Sequence, residues 1–200
     1  ATPHHLILDE ELLSRADGHR FATAPPLRGR LHREALWEGI EEGLVQAVAS
    51  DHCSFTADEK DSGAADFRRI PLGVPGIGTL LPAMWTAAVA TGRLSENELV
   101  DLLSTQPAEL FGLYPRKGSI REGADADLVV FDPELALDAT PDVVGGHSDY
   151  TLYDTGSLIG WPVATMVRGV WVVQDRKVVG SPSHGAFVPR TKVCQRPGVR

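Results

Sequence analysis

A helical pattern that runs directly into a short apolar segment is the feature that most constrains the fold of this chain. Between Arg33 and Glu42 apolar residues recur at helical spacing, and Gly43 is a natural helix terminator. The segment from Leu44 to Ser50 is apolar, short and bounded, which indicates a buried strand. A helix that leads into a buried strand is typical of an α/β fold with a parallel sheet.

Helices also dominate the stretch from 75 to 112. Apolar residues between Ile77 and Ala88 follow the i, i+3, i+4, i+7 pattern and predict a helix of about 15 residues with one wide apolar face. Ser95 and Glu98 have the spacing of a capping box, and Pro107 suits the first turn of a further short helix. The first half of the chain is therefore predicted to alternate helices and strands, with helices dominating from 75 to 112.

The pattern becomes β-like after Tyr114. Leu128–Phe131 predicts one strand, and Val163–Val179 predicts two or three more. The segment from Pro133 to Gly160 is rich in Pro, Gly, Asp and Ser and is predicted to be a long loop. The residues beyond Pro182 are predicted to form an extended arm. This half is therefore expected to form a small sheet domain.

Composition excludes several classes of protein. A chain of 200 residues with 42% hydrophobic content is sized for one or two globular domains. The net charge of −8 and the lack of a dense Lys and Arg cluster argue against a nucleic-acid or anionic-membrane partner. No apolar run reaches the about 18 residues of a membrane span. Cys53 and Cys194 are too few for a disulfide framework, which predicts reduced thiols in the cytoplasm.

Asp51 follows the predicted strand directly and is the strongest candidate for chemistry. α/β barrels place their active sites at the carboxyl ends of the strands, and a carboxylate there needs a hydrogen-bonding partner or a metal. The alternative is that Asp51 only caps the following turn. His52 is interpreted as a hydrogen-bonded or structural residue and Cys53 as a buried or inert thiol, while the adjacent His4 and His5 are interpreted as loop or strand residues outside the site.

Several blocks in a fixed order give the chain a family resemblance. These blocks are APPLR, SDHCSFTADEK, GAADFRRIPLGVPGIGTLLP, ELFGLYPRKGSIREGADADLVVFDP, VATMVRGVWVVQDRKVVG and HGAFVPR. Together they resemble the cyclic amidohydrolases, in particular the dihydropyrimidinase and hydantoinase branch. The resemblance runs from the TPHHLIL opening to about Arg190 and so covers nearly the whole chain.

The resemblance implies a metal-dependent (β/α)8 TIM barrel with a small β-sandwich, of which these residues form the C-terminal part. The last two barrel strands are then expected near Phe21–Ala24 and Val45–Ser50. The expected division is the barrel part at residues 1–114, the β-sandwich domain at 115–185 and a C-terminal arm at 186–200. The rest of the barrel is expected as a partner from a preceding segment, and family members are often homotetramers.

The resemblance also implies a role for Asp51. This residue would coordinate one of two zinc ions and act as general base for the water that bridges them. The sequence contains no His-x-His pair, and the carbamylated lysine that bridges the metals in such enzymes would lie outside it. These 200 residues alone are therefore expected to be inactive.

Ala24 and Leu72 are the positions expected to contact the substrate, largely through backbone groups that meet the amide edge of the ring. The branch commonly has serine where Ala24 stands and PNG where Pro71, Leu72 and Gly73 stand. The alternative is that PLGVPGIG is an ordinary connection into the next helix. The expected activity is hydrolysis of dihydropyrimidines or 5-substituted hydantoins. An allantoinase-like or dihydroorotase-like hydrolase and a non-catalytic scaffold relative without the metal site stay open as alternatives.

Overall fold

The structure is a computed structural model that describes residues 1–154 and 156–191. The α helices of this part of the chain are α1 (Pro3–Ile7), α2 (Arg30–Glu41), α3 (Ala57–Asp61), α4 (Leu80–Met84), α5 (Glu96–Val100), α6 (Gln106–Leu110) and α7 (Pro141–Val144). Short 3-10 helices lie at Glu10–Ser14, Gly18–Phe21, Phe67–Arg69, Ile77–Thr79 and Pro182–His184. The strands are β1 (Leu128–Asp138), β2 (Ser157–Val167), β3 (Val170–Gln174) and β4 (Lys177–Val178). No helix in the described ranges is long and apolar enough to cross a membrane.

Local patterns placed most of the helices correctly. α2 covers the predicted helix, buries Trp37 and ends before Gly43, whose φ of 73° is in the left-handed region that glycine adopts easily. Ser95 and Glu98 form both hydrogen bonds of the predicted capping box at the start of α5. The helical backbone then continues from α5 through a π-helical turn into α6, so that Pro107 lies inside a longer helical segment.

The predicted helix between Ile77 and Ala88 is confirmed, with one exception. α4 and the π-helical turn Trp85–Val89 follow each other without a break, and Met84 and Ala88 are fully buried. Ile77, however, is 67% exposed and does not belong to the apolar face. It lies in the preceding 3-10 helix, whose tighter winding turns its side chain away from the core.

Neither of the two expected barrel strands is assigned as a strand in the structure. A strand at Phe21–Ala24 is wrong, because Phe21 ends a 3-10 helix and the chain then enters a cis peptide bond between Ala24 and Pro25. The segment Val45–Ser50 has no assigned strand, but the amino group of Ala1 donates to Ala47 O at 2.8 Å and the Ala49 N–H donates to Ala1 O at 3.0 Å. This bonding of one residue to two that are two apart is the pattern of a parallel strand pair.

The sheet half contains one antiparallel sheet with strand order β1-β2-β3-β4. Within the described ranges this is a single layer, so the second layer of a sandwich is not among these strands. The predicted loop Pro133–Gly160 is partly wrong, because β1 continues to Asp138 and β2 begins at Ser157. Pro133 is accommodated because β1 is an edge strand and its register with β2 shifts between Asp132 and Ala136.

Two groups of buried apolar residues form the core. The first joins the helical half to the sheet half and consists of Phe21, Leu27, Val74, Ala83, Ala139, Leu152, Tyr153, Leu158 and Trp161. The second lies among the helices and consists of Leu6, Trp37, Val48, Met84, Ala88, Leu94, Leu99 and Leu102. Because the first cluster draws on both sides of Tyr114, the expected domain boundary there stays a prediction.

The described part of the C-terminal arm contacts the helical half at Thr191. The Thr191 N–H donates to Gly112 O at 2.8 Å. Residues 192–200, which include Cys194 and most of the basic tail, lie outside the described residues.

Candidate active site

Asp51 lies on the surface at the end of the segment that pairs with Ala1. Its backbone has a φ of 48°, a left-handed conformation that aspartate tolerates better than most residues. Its carboxylate accepts no hydrogen bond and forms no ion pair within residues 1–154 and 156–191. The Cys53 N–H, which a turn-capping carboxylate would bind, instead donates to Val74 O at 3.1 Å. The alternative that Asp51 only caps a turn is therefore not observed.

An open depression of about 530 Å³ brings Asp51 together with the loop around Ala24. Its lining includes Thr2, His5, Pro25, Pro26, Arg28, His32 and Asp51. The floor is fixed by His5, whose Nδ1 lies 2.7 Å from Thr2 Oγ1 and whose Nε2 lies 2.9 Å from Pro25 O. Asp51 thus lines a concave surface next to a loop that the His5 hydrogen bond to Pro25 O holds in place.

His4 and His5 belong to α1, so their interpretation as loop or strand residues was wrong. Thr2 caps this helix by accepting from the His5 N–H, and Pro3 occupies its first turn. His4 is 1% exposed, and burial together with the neighbouring His5 lowers its pKa to about 4, against an opposing effect of the Asp51 charge. His4 is therefore neutral at neutral pH, and its Nε2 has no hydrogen-bond partner among the described residues.

His52 anchors the loop that follows the proposed substrate contact. Its Nδ1 accepts from the N–H groups of Gly76 at 3.1 Å and Ile77 at 3.3 Å, which places the ring proton on Nε2. Its backbone also forms an isolated parallel bridge with Val74. The structural role expected for His52 is therefore confirmed by these contacts.

Ala24 and Leu72 are both exposed, Leu72 by 54%. No hydrogen bond in the described part of the chain uses the backbone N–H or C=O of either residue. Their loops are joined to each other, because the Gly73 N–H donates to Ala22 O at 3.1 Å. Their backbone polar groups are thus available to a bound molecule.

Gly73 is required for the close approach of these segments. Its φ of 140° is unfavourable for other residues, and a Cβ atom here would lie 2.6 Å from Cys53 Cβ. The Leu72 loop therefore packs directly against Cys53, two residues after Asp51, and its Gly73 N–H joins it to Ala22, two residues before Ala24.

Lys60 is a residue of this region that the sequence analysis missed. It belongs to α3, is 0% exposed, and its Nζ donates to Ala22 O at 2.9 Å and to Pro71 O at 2.7 Å. Burial lowers the pKa of Lys60 to about 8. The capping box of Thr56 and Glu59 in the sequence could have located α3, but nothing local indicates that its lysine points inward.

The described residues do not form a complete metal site. No group of three or more His, Cys, Asp or Glu side chains within the described ranges could hold a metal ion. The free carboxylate of Asp51 fits one ligand position of a divalent metal, because such ions bind carboxylate oxygen and need a charged, unpaired donor. The remaining ligands would have to come from residues outside this set.

Comparison with known proteins identifies the family. Residues 4–172 match the profile described as "Amidohydrolase family". The chain belongs to the amidohydrolase family. Its fold corresponds to the C-terminal part of an amidohydrolase TIM barrel, as the family resemblance implied.

The similar proteins are hydrolases of one branch. The chain is 38% identical to a D-hydantoinase of Geobacillus stearothermophilus, over 95% of this chain and 41% of that protein. It is 35% identical to a D-phenylhydantoinase of Escherichia coli O81 (strain ED1a), over 94% of this chain and 41% of that one. The crystal structure of dihydropyrimidinase from Brevibacillus agri NCHU1002 superposes with a TM-score of 0.94 at 33% identity, over 98% of this chain and 43% of that one. The chain thus spans about two fifths of the length of these relatives.

Proposed function

We propose that this chain is the C-terminal portion of a metal-dependent hydrolase that opens the cyclic amide bond of dihydropyrimidines or 5-substituted hydantoins. The observation that carries the proposal is the exposed carboxylate of Asp51, which has no hydrogen bond or ion pair among the described residues, near Ala24 and Leu72, whose own backbone N–H and C=O groups also form no hydrogen bond there. The names of the similar proteins, D-hydantoinase and dihydropyrimidinase, support this choice of ring.

Asp51 acts in this proposal as metal ligand and as proton carrier. Two zinc ions, bridged by a carbamylated lysine outside this sequence, would supply Lewis-acid activation of water and of the ring carbonyl when bound. The oxygen of water adds to the carbonyl carbon and the ring C–N bond breaks. One carboxylate oxygen of Asp51 takes the proton from the attacking water and delivers it to the leaving nitrogen.

Ala24 and Leu72 hold the ring in the proposed complex. A cyclic amide presents alternating N–H and C=O groups along its edge, and free backbone C=O and N–H groups are their natural partners. Because these contacts use the backbone, alanine in place of serine and leucine in place of asparagine do not prevent them. The side chains still influence which ring fits, and Ala24 favours allantoin as a second candidate substrate, since allantoinases are similar in this position.

The proposal also covers the rest of the barrel, the oligomeric state and the cellular location. The rest of the barrel would supply the other metal ligands and the neighbouring strands, and the protein would assemble as a homo-oligomer, with a tetramer as the family's common form. A cytoplasmic location is proposed because the sequence has only two cysteines, too few for the disulfide framework of an exported protein. A non-catalytic scaffold relative would keep this fold without the metal.

The test uses the full-length protein that contains this chain, purified in zinc-supplemented buffer. Elemental analysis should find about two metal ions per chain, and the protein should open dihydrouracil or hydantoin. If the protein hydrolyses allantoin or dihydroorotate faster than dihydrouracil and hydantoin, the faster compound would be assigned as the substrate instead. Absence of both metal and hydrolysis would contradict the proposed function and favour the scaffold relative.

A further inference from the structure

A buried lysine ammonium lies beneath both proposed substrate-contact loops. Lys60 Nζ binds Ala22 O, two residues before Ala24, and Pro71 O, one residue before Leu72. On the basis of the function proposed above, we propose that Lys60 is a positioning residue that sets the distance between the Ala24 and Leu72 loops, and so the ring-binding geometry.

The connection is direct because few bonds separate the ammonium from the proposed contacts. Ala22 O accepts both from Lys60 Nζ and from the Gly73 N–H, so this one carbonyl joins the two loops. No other side chain in the described ranges donates to both loops. A hydrogen bond from a charged donor is stronger than one between neutral groups, which makes Lys60 a stiff connection.

α3 holds Lys60 in register with the loop it supports. The preceding Thr56 and Glu59 cap α3 on one side, while Asp61 receives Arg20 Nη2 at 2.7 Å and His19 Nε2 at 2.6 Å. The segment from His19 to Ala22 is therefore hydrogen-bonded to two successive residues of α3, Lys60 and Asp61. The helix cannot shift relative to this segment without breaking both contacts.

A contribution to stability alone does not explain why a lysine is buried at position 60. Burying a charge is unfavourable, as the pKa lowered to about 8 indicates, and an apolar side chain of similar length often replaces a buried charge without loss of stability. Cys53 and the ring of Phe55, 5.6 Å from Nζ, are the other groups that face it. The two carbonyls are the feature that needs a donor here.

The test compares Lys60→Met with Lys177→Met in the full-length protein. Lys177 is exposed in β4 and serves as the matched control. For Lys60→Met we expect a folded protein whose KM for dihydrouracil or hydantoin rises about tenfold to a hundredfold while kcat changes much less. Hydrogen exchange should accelerate in peptides covering residues 22–24 and 71–73, and Lys177→Met should match the wild type in both measurements.

A folded Lys60→Met protein with wild-type KM and unchanged exchange in these peptides would overturn the proposal. If Lys60→Met does not fold, Lys60→Gln decides, because its amide is one bond shorter and uncharged and so binds the two carbonyls more weakly than the ammonium. A raised KM in Lys60→Gln supports the role, and a wild-type KM overturns it. If the wild type opens no ring, the proposed function fails, while the exchange measurement still decides whether Lys60 positions the loops.

Discussion

At the scale of single residues, burial and proximity determine which groups near the site can carry charge. Asp51 is exposed and has no hydrogen-bond or ion-pair partner among the described residues, whereas the nearby His4 is buried. Because burial keeps His4 neutral, its imidazole carries no charge that competes with a cation for the Asp51 carboxylate. His4 therefore contributes packing rather than positive charge at neutral pH.

The lowered pKa of His4 predicts a loss of stability in acid. Between its ordinary value of 6.5 and about 4, the unfolded chain binds a proton at this residue and the folded chain does not. Stability is therefore unaffected by His4 above pH 6.5 and falls as the pH decreases towards 4. The free energy of unfolding decreases between pH 7 and pH 4.5, and in His4→Gln this decrease should be smaller than in the wild type by about 2 kcal/mol.

Urea unfolding at both pH values measures this effect in the full-length protein. His147→Gln is the control, because the His147 side chain is 64% exposed. It should lose stability in acid as the wild type does. An identical acid sensitivity of His4→Gln and the wild type would contradict a buried neutral His4.

The sequence singled out Asp51 as a candidate but could not predict the burial of Lys60. The acid follows an apolar segment and stands out in the sequence, and the family motif assigns it a role. Lys60 lies in a polar run, TADEKD, that is typical of an exposed helix. Its burial depends on the carbonyls of Ala22 and Pro71, which only the folded chain brings to it.

At the scale of elements, the Leu72 loop depends on a close contact that only glycine permits. Gly73→Ala would place a Cβ atom 2.6 Å from Cys53 Cβ at a φ of 140°. We expect a loss of about 1–3 kcal/mol in the free energy of unfolding, because the backbone must shift. The shift should also weaken the Gly73 hydrogen bond to Ala22 O and raise KM.

Urea unfolding and steady-state kinetics check this prediction against Gly185→Ala. Gly185 has a φ of −59° and open space around its Cβ position, so its variant should stay within about 0.5 kcal/mol of the wild type. Equal effects of the two substitutions would show that the contact with Cys53 is unimportant.

Elements with local signals were predicted well and those with distant partners were not. α2 and the capping box of α5 are encoded by spacing within a few residues. The strand expected at Phe21–Ala24 was wrong because Phe21 ends a 3-10 helix there. At Val45–Ser50 the extended pairing depends on Ala1, which is distant in sequence and bonds to Ala47 and Ala49. β1 extends past Pro133 for the same reason, since β2 accommodates it by a register shift.

At the scale of the whole molecule, the sheet and the helices share one core. Trp161 in β2 packs in the same cluster as Phe21, Leu27 and Ala83 of the helical half. It is 3% exposed, and its indole N–H donates to Leu158 O at 2.8 Å. The two halves are therefore expected to unfold together.

Trp161→Ala tests this coupling. The substitution should cost about 3–5 kcal/mol, because it leaves a large cavity between the halves. Hydrogen exchange should accelerate both in β2 and in residues 21–27, whereas Trp171→Ala, at a side chain that is 37% exposed, should have a much smaller effect. Acceleration confined to the sheet would instead indicate two independently stable units.

The most direct measurement is the turnover of Asp51→Asn in the full-length protein with dihydrouracil or hydantoin, beside Asp58→Asn as the exposed control. Asparagine keeps the size of the side chain but cannot take up the proton or contribute the negative charge to a metal. We expect kcat to fall by about a thousandfold or more for Asp51→Asn and to be unchanged for Asp58→Asn. An Asp51→Asn protein that opens the ring at the wild-type rate would contradict the proposed role of Asp51.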